Sequence, residues 1–123
     1  MNLKSFVVDS YAWMSYFHEK SGFKELIDEN ILKTPAIVVA EITRVLEKHK
    51  EPEEKIREAL KIILEKSTIL ELDFKNAVKA GELAANEKMH LSDAIVYAYA
   101  SNEEEVLTGD KDFAGKPFVK LVK

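Results

Sequence analysis

The stretch "FVVDSYAWMSYF", residues 6–17, does most to decide the fold of this chain. The apolar character of residues 3–8 predicts a short buried strand. Residues 10–19 then predict a helix, with Asp9 or Ser10 as its N-cap. The buried strand therefore ends on a carboxylate, and the position of that carboxylate calls for a chemical explanation.

The rest of the chain continues the alternation of strands and helices. Residues 31–35, "ILKTP", predict an extended connection into a helix with Pro35 at its first position. Strands separated by helices imply parallel strands and right-handed crossovers. We expect one α/β domain over residues 1–123, a three-layer α/β/α sandwich with a central parallel sheet of four to five strands. The other helices are expected over 22–29, 35–49, 74–88 and 92–101, with one more that begins at Pro52. The other strands are expected over 68–72, 105–108 and 118–122. On the helix over 74–88, one face is shared by Phe74, Ala77, Val78, Gly81, Ala84 and Ala85.

Composition narrows the possible chemistry. The 123 residues contain no cysteine, which excludes disulfides, thiolate zinc sites and thiol nucleophiles. The net charge of −4 and the small number of arginines do not indicate a broad basic face for nucleic acid. No stretch approaches the roughly 18 apolar residues of a membrane span, and the first residues lack the features of a signal peptide. We therefore expect a cytoplasmic protein that does not enter the membrane.

Four acidic residues occupy notable positions in the predicted fold. Asp9 ends the first strand, and Asp110 follows the strand over 105–108. Asp93 lies in the first turn of a helix that is apolar almost all round, and Glu41 lies within the apolar run "IVVAEI". Ligand sites of parallel α/β sheets lie beyond the carboxyl ends of the strands. These acids are therefore expected along one edge of the sheet.

Each acid also has an ordinary structural explanation. Asp9 can cap the helix that follows it, Asp93 can complement a helix dipole, and Asp110 lies in a turn, where aspartate is common. Glu41 can pair with Arg44 one turn further on. Glu41 fits its explanation least well, because an ionised carboxylate in an apolar run is costly without compensation. Taken together, four clustered carboxylates repel one another, and a hard divalent cation, Mg²⁺ or Mn²⁺, would relieve that repulsion.

The chain resembles the PIN-domain family, and most closely the VapC-type toxin ribonucleases of prokaryotic toxin–antitoxin pairs. The resemblance covers essentially the whole chain, and the set of matching segments is specific although no single segment is. The segments are "VVDSYAWMSYF" at the start, "TPAIVVAEITRVL" around Glu41, "LSDAIVYAYA" around Asp93 and "LTGDKDF" around Asp110.

The resemblance implies an active site and a set of partners. It implies that Asp9 and Asp93 hold the main metal ion most directly, and that the fourth acid is more variable, so that Asp112 can share or replace the role of Asp110. It implies Mg²⁺- or Mn²⁺-dependent endonucleolytic cleavage of single-stranded RNA, a homodimer and a small antitoxin. The catalytic acids are then Asp9, Glu41, Asp93 and Asp110, and the accessory residues are Ser10, Thr108 and Arg44.

Several interpretations stay open from the sequence. An RNA-processing nuclease without an antitoxin, or a non-catalytic PIN-like module that binds RNA or protein, would share these features. Arg44, Lys48 and Lys111 are candidate phosphate contacts, although Lys48 is more typical of a solvated surface. The aromatic residues within 11–17 favour packing and association over base stacking, and an exposed apolar patch there would suit an antitoxin. The three histidines, His18, His49 and His90, are expected on the surface rather than at a metal.

Overall fold

The computed structural model describes residues 2–123, and its elements follow the predicted order. The first strand ends where an acid-capped helix begins, and each later strand is likewise reached through at least one helix or helical turn. The strands are β1 (Ser5–Val8), β2 (Ile31–Pro35), β3 (Ser67–Leu70), β4 (Glu104–Thr108) and β5 (Val119–Leu121). The helices are α1 (Ser10–Phe17), α2 (Lys24–Asp28), α3 (Ala36–Lys48), α4 (Glu53–Lys66), α5 (Phe74–Glu87) and α6 (Leu91–Ala98), with a short 3₁₀ helix at Lys111–Phe113.

All neighbouring strands in the sheet are parallel, in the order β3-β2-β1-β4-β5. This confirms the predicted α/β/α sandwich and fixes the number of strands at five. The chain builds outward from β1 in one direction through β2 and β3, and then returns to the other side of β1 with β4. The carboxyl ends of β1 and β4 therefore flank the point where the strand order reverses, which is where parallel sheets open a ligand crevice.

The core is built around the central strands. Val7 and Val8 on β1 and Leu107 on β4 are fully buried, as expected for strands covered on both faces. Trp13 of α1 is also fully buried, and its indole Nε1–H donates a hydrogen bond of 3.0 Å to the hydroxyl of Thr34 on β2. The first helix is thereby held over the sheet, which fixes the direction in which Asp9 leaves β1.

The prediction for residues 31–35 was wrong, because these residues form strand β2 rather than an extended connection. Leu32 and Thr34 are buried, and β2 pairs with β1 on one side and β3 on the other. This strand has only five residues, and Lys33 and the terminal proline interrupt the apolar pattern that would predict it. Pro35 ends this strand and precedes α3 as its N-cap, so the helix begins at Ala36 and not at Pro35.

The aromatic residues within 11–17 and the predicted apolar face of α5 differ in how far they are buried. The aromatic residues of α1 do not form an exposed patch, because Trp13 is buried, Tyr16 and Phe17 are half-buried, and Tyr11 alone among these aromatics is exposed. On α5 the apolar residues divide between two sides of the helix. Ala80 packs inward, whereas Phe74 and others point to solvent. The histidines are exposed, as predicted, and among residues 2–123 no helix has the length and apolar character needed to cross a bilayer.

Candidate active site

Asp9 lies where β1 ends and α1 begins, at the carboxyl edge of the sheet. It is the N-cap of α1, and its Oδ1 accepts a hydrogen bond of 2.8 Å from the backbone N–H of Ala12. Its Oδ2 accepts a hydrogen bond from the hydroxyl of Thr108, at the end of neighbouring β4. Helix capping therefore accounts for Oδ1 of Asp9, whereas Oδ2 is hydrogen-bonded to a residue of the neighbouring strand.

Thr108 connects Asp9 to the loop after β4. Its hydroxyl oxygen accepts a hydrogen bond of 2.9 Å from the backbone N–H of Asp110, and the residue is fully buried. Asp110 in turn caps the 3₁₀ helix by accepting a hydrogen bond of 2.9 Å from the backbone N–H of Asp112. This run of hydrogen bonds fixes the acidic loop against the end of β1.

Asp93, Asp110 and Asp112 form a close acidic cluster. Each offers a carboxylate oxygen that lies within 4.8 Å of the oxygens offered by the other two. Asp93 comes from the first turn of α6, and Asp112 comes from the 3₁₀ helix. Asp93 and Asp110 are half-buried and Asp112 is exposed, so the cluster opens to solvent on the side of Asp112.

Asp9 is the most buried acid of this edge, with 5% of its surface exposed. Burial raises the pKa of Asp9 to about 7, because the charged form loses its hydration. The hydrogen bond from Thr108 opposes this rise in pKa, and the negative charges of Asp110 and Asp93 add to it. Asp9 therefore interacts electrostatically with the cluster.

Asp93 is perturbed for the same reasons. Burial raises the pKa of Asp93 to about 6, and the charges of Asp110, Glu41 and Asp112 add to the rise, while His90 opposes it. Two neighbouring carboxyl groups thus have pKa values close to neutrality in the absence of a cation. A doubly charged ion among them would offset the rise in pKa, since its positive charge favours the ionised carboxylates.

Glu41 lies on α3 at half-buried depth. Burial raises the pKa of its carboxyl group, while the hydroxyls of Ser92 and Ser10 and the charge of Arg44 act in the opposite direction. Its own negative charge helps to raise the pKa of Asp93. Glu41 is thus coupled to the acidic edge through Asp93, and the exposed Arg44 is coupled to it through Glu41.

The structure thus brings the predicted acids to one edge of the sheet, where some form a close cluster and others lie outside it. Within residues 2–123, Asp9 and Glu41 are not members of the close cluster, which joins Asp93 and Asp110 to Asp112. The sequence left the roles of Asp110 and Asp112 open, and the resemblance implied that either could serve as the fourth acid. The role of His90 beside Asp93 was missed, because its position just before α6 carries no pattern of its own.

Two openings flank the acidic edge. One is a groove of 610 Å³ between α1 and α3, lined by Ser10, Tyr11, His18 and Lys20, with Asp110 at one boundary. The other is a smaller polar cavity of 200 Å³ beside Asp93 and Asp112, lined also by His90, Lys88 and Lys116. A chain-like ligand could cross the cluster from one opening to the other.

The donor set fits a hard divalent cation. All candidate ligand atoms are carboxylate oxygens, which suit Mg²⁺ and Mn²⁺ and disfavour soft metals. One side of the cluster is open, as a site needs to be if water and substrate share the ion. Asp93, Asp110 and Asp112 would hold the ion, with Asp9 behind them.

A family model described as PIN domain matches residues 6–119. Several solved structures have a similar fold, although none of those named here exceeds 24% sequence identity. Among curated proteins, none matches the chain significantly in sequence.

The solved structures include a toxin–antitoxin complex, a toxin and a DNA-bound VapBC2. A toxin–antitoxin complex from Klebsiella pneumoniae superimposes with a TM-score of 0.75 at 24% identity, covering 94% of this chain and 95% of that one. VapC20 of Mycobacterium tuberculosis, described as a toxin that cleaves the sarcin-ricin loop, gives a TM-score of 0.73 at 18% identity over 98% and 100%. VapBC2 of Rickettsia felis, bound to a promoter DNA fragment, gives 0.73 at 17% over 96% and 97%.

Proposed function

Because the chain belongs to the PIN domain family, we propose that it is a divalent-metal-dependent endoribonuclease and the toxin of a toxin–antitoxin pair. The observation that carries the proposal is the cluster of Asp93, Asp110 and Asp112 in front of buried Asp9. The three clustered carboxyl groups offer oxygens close enough together to share one cation, which supports the proposal. Burial, with a smaller contribution from neighbouring carboxylates, raises the pKa of Asp9 to about 7 and that of Asp93 to about 6, and a cation bound nearby would favour the charged form of both groups.

Each residue of the edge has a distinct role in the proposed reaction. A bound Mg²⁺ or Mn²⁺ would supply charge relief for the phosphate and would lower the pKa of a water molecule. Asp93, Asp110 and Asp112 place that charge, and Asp9 completes the negative potential from beneath. Thr108 orients Asp9 and the Asp110 loop at once, because its one hydroxyl contacts both.

Glu41 and Arg44 serve the substrate side of the site. Glu41 lies near the hydroxyls of Ser10 and Ser92, and its negative charge raises the pKa of Asp93. It therefore adds negative potential to the cluster from the side of α3. Arg44 is exposed one turn further along α3 and carries positive charge toward Glu41. We propose that Arg44 contacts a phosphate of the RNA, with Lys48 and Lys111 as weaker, solvated contributors.

The substrate is single-stranded RNA in this proposal. The openings on either side of the acidic edge would hold the nucleotides that flank the scissile phosphate. Each contains a basic side chain, Lys20 in one and Lys88 in the other, whereas Lys116 of the second opening is paired with Glu87. Phosphate charge is thus met locally by the cation and by a few lysines. A chain with a net charge of −4 can bind RNA in this way without a broad basic face.

The similar structures support a proposal about partners. Toxin–antitoxin complexes are among the solved structures that share this fold, and we propose a small antitoxin that covers the acidic pocket, a homodimer and a cytoplasmic location. An RNA-processing nuclease without an antitoxin is the alternative within the same chemistry, and a non-catalytic binding module is the alternative outside it.

The test is cleavage of labelled single-stranded RNA by the purified chain in Mg²⁺ or Mn²⁺ and in EDTA. We expect cleavage with either cation, none in EDTA, and a loss of at least about 100-fold in Asp93→Asn. Glu103→Gln, which removes an exposed carboxylate elsewhere on the surface, is the matched control and should retain activity. Equal cleavage in EDTA, or full activity of Asp93→Asn, would contradict the proposal, and RNA binding without cleavage would favour the non-catalytic module.

A further inference from the structure

Tyr11 presents an aromatic ring beside the acidic edge. It is the second residue of α1, 39% of its surface is exposed, and it lines the 610 Å³ groove that has Asp110 at one boundary. On the same helix Trp13 is fully buried, and Tyr16 and Phe17 are half-buried. Core packing therefore accounts for the other aromatic residues of α1 and leaves Tyr11 without such an explanation.

The Tyr11 ring is held from one side by well-packed parts of the chain. A Cβ atom added at Gly109 would collide with Cδ1 and Cε1 of Tyr11, so the glycine backbone packs directly against this edge of the ring. The buried Phe23 lies 3.1 Å from the same added atom, and its ring centroid is 6.2 Å from that of Tyr11. A ring that is fixed before a ligand arrives lowers the entropic cost of binding against it.

Lys20 lies at the hydroxyl end of the Tyr11 ring and not across its face. The Nζ atom of Lys20 is 3.4 Å from the hydroxyl oxygen of Tyr11 and 5.4 Å from the centroid of the ring. Lys20 is exposed, and it forms no ion pair with any residue of the range 2–123. A positive charge without a counter-charge on the protein therefore lies beside the ring.

The groove offers space for a flat group against this ring. Tyr11 and Met14 line it from α1, and Ile42 and Val45 line it from α3. Its volume of 610 Å³ is within the range of about 300–1,000 Å³ that is typical of ligand sites. A planar, largely apolar group could therefore enter between the two helices and lie on Tyr11.

The position of the ring indicates which flat group it would meet. Gly109, which packs against Tyr11, directly precedes Asp110, and Asp110 belongs to the acidic cluster. In the proposed function the scissile phosphate lies at this cluster, so the base of an adjoining nucleotide comes next to the ring. Aromatic side chains hold single-stranded nucleic acid by stacking on its bases, because every base has a π face.

We propose that Tyr11 is a stacking platform for the base of a nucleotide that adjoins the scissile phosphate, and that Lys20 contacts a phosphate of the same strand. The inference rests on the proposed function and adds to it the requirement for an unstacked base at this position. In a duplex the bases are stacked on their neighbours, whereas in a single strand they can be splayed out onto an aromatic side chain. Tyr11 thereby favours single-stranded over double-stranded RNA.

The first test is the affinity of the full-length chain for a short labelled single-stranded RNA, measured by fluorescence anisotropy in EDTA and low salt, where phosphate contacts are strongest. Tyr11→Ala should raise the dissociation constant by about 10-fold, whereas Tyr11→Phe should stay within about 2-fold of the wild type because it keeps the aromatic face. Phe118→Ala is the matched control, since Phe118 is 41% exposed and lines neither opening, and it should leave the affinity unchanged.

The second test identifies the stacked base by placing an abasic nucleotide at each position of the RNA in turn. Where the missing base is the one that stacks on Tyr11, Tyr11→Ala should cause no further loss of affinity, because both changes remove the same contact. At other positions the loss of about 10-fold should persist. The position found should adjoin the bond that the wild-type chain cleaves in Mg²⁺.

Metal affinity separates stacking from a merely structural role of the ring. Tyr11→Ala should leave the Mn²⁺ dissociation constant unchanged, whereas a ring that only supported the Asp110 loop would alter it. An Mn²⁺ affinity that falls as far as the RNA affinity does would overturn the stacking role.

The remaining outcomes distinguish this inference from the proposed function. Equal RNA affinity in Tyr11→Ala and the wild type, or an undiminished loss at every abasic position, would overturn the stacking role and leave RNA cleavage intact. Binding that depends on Tyr11 without any cleavage would support the stacking role and overturn the nuclease. A chain that neither binds nor cleaves RNA would overturn both.

Discussion

At the scale of the residue, Thr108 is the smallest group on which the acidic edge depends. Its hydroxyl donates to Asp9 and accepts from the backbone N–H of Asp110, so one buried oxygen contacts both an acid that follows β1 and the loop that follows β4. Groups that orient metal ligands from behind commonly contribute 10- to 100-fold to metal affinity.

Replacement of Thr108 by valine tests this role with little change in volume. Thr108→Val leaves an oxygen of Asp9 and the N–H of Asp110 without their partner, and we expect the Mn²⁺ dissociation constant to rise by about 10-fold. Isothermal titration calorimetry measures the change, and Thr108→Ser should restore the wild-type value because it keeps the hydroxyl. Wild-type affinity in Thr108→Val would show that the hydroxyl has no positioning role.

At the scale of the element, the loop after β4 packs against the first turn of α1. A Cβ atom added at Gly109 would lie 2.3 Å from Cε1 of Tyr11 and 3.1 Å from Cζ of Phe23. The absence of a side chain at Gly109 therefore lets the loop pass beneath the Tyr11 ring, and that path delivers Asp110 to the cluster.

Gly109→Ala should displace either the ring or the loop. We expect a rise of about 10-fold in the Mn²⁺ dissociation constant, since a shift of the Asp110 loop weakens the ligand set. Tyr11→Ala removes the nearest obstruction, so the double variant Gly109→Ala/Tyr11→Ala should recover most of the affinity. If Gly109→Ala binds Mn²⁺ as tightly as the wild type does, the close contact between Gly109 and Tyr11 does not fix the position of the Asp110 loop.

The elements themselves were largely predictable from sequence, with one informative exception. Hydrophobic period and capping residues located the helices and four strands to within a few residues. Strand β2 was missed because Lys33 and Pro35 suggest a connection, and its strand character comes from pairing with β1 and β3, which no local pattern reveals.

The sequence singles out the candidate acids but not their arrangement. Asp9, Asp93 and Asp110 stand out because they follow a strand or lie in the first turn of a helix, and Glu41 stands out because it lies within an apolar run. Their roles, which the resemblance implies, stay a prediction. The grouping of Asp93 with Asp112 depends on how the 3₁₀ helix turns back toward α6. That turn is set by Thr108 and by tertiary packing rather than by the spacing of the acids.

At the scale of the whole molecule, the acidic edge makes stability depend on pH and on metal. The pKa of Asp9 rises from 3.8 to about 7 and that of Asp93 from 3.8 to about 6 on folding, so between about pH 4 and pH 7 the native state binds more protons than the unfolded state. Stability therefore falls as the pH rises through this range. Asp28, whose pKa is lowered by Tyr16 and Lys24, contributes in the opposite sense only at more acidic pH.

In EDTA, the metal-free chain should be less stable at pH 8 than at pH 5. The contribution of Asp9 is roughly 4 kcal/mol at most, and Asp93 adds less because it is half-exposed. Urea unfolding followed by the fluorescence of Trp13, the only tryptophan and fully buried, measures the difference. Saturating Mg²⁺ should raise stability at pH 8, and Asp9→Asn should flatten the dependence on pH. Greater stability at pH 8 than at pH 5 in EDTA would contradict this linkage.

The most direct test of the metal site is a crystal of the chain soaked in millimolar Mn²⁺, with diffraction data collected to reveal anomalous scattering. We predict an anomalous peak about 2.1 Å from carboxylate oxygens of Asp93, Asp110 and Asp112, and no such peak in Asp93→Asn. A map without a peak at this edge, or one in which these three side chains turn apart while Mn²⁺ binds elsewhere, would contradict the account.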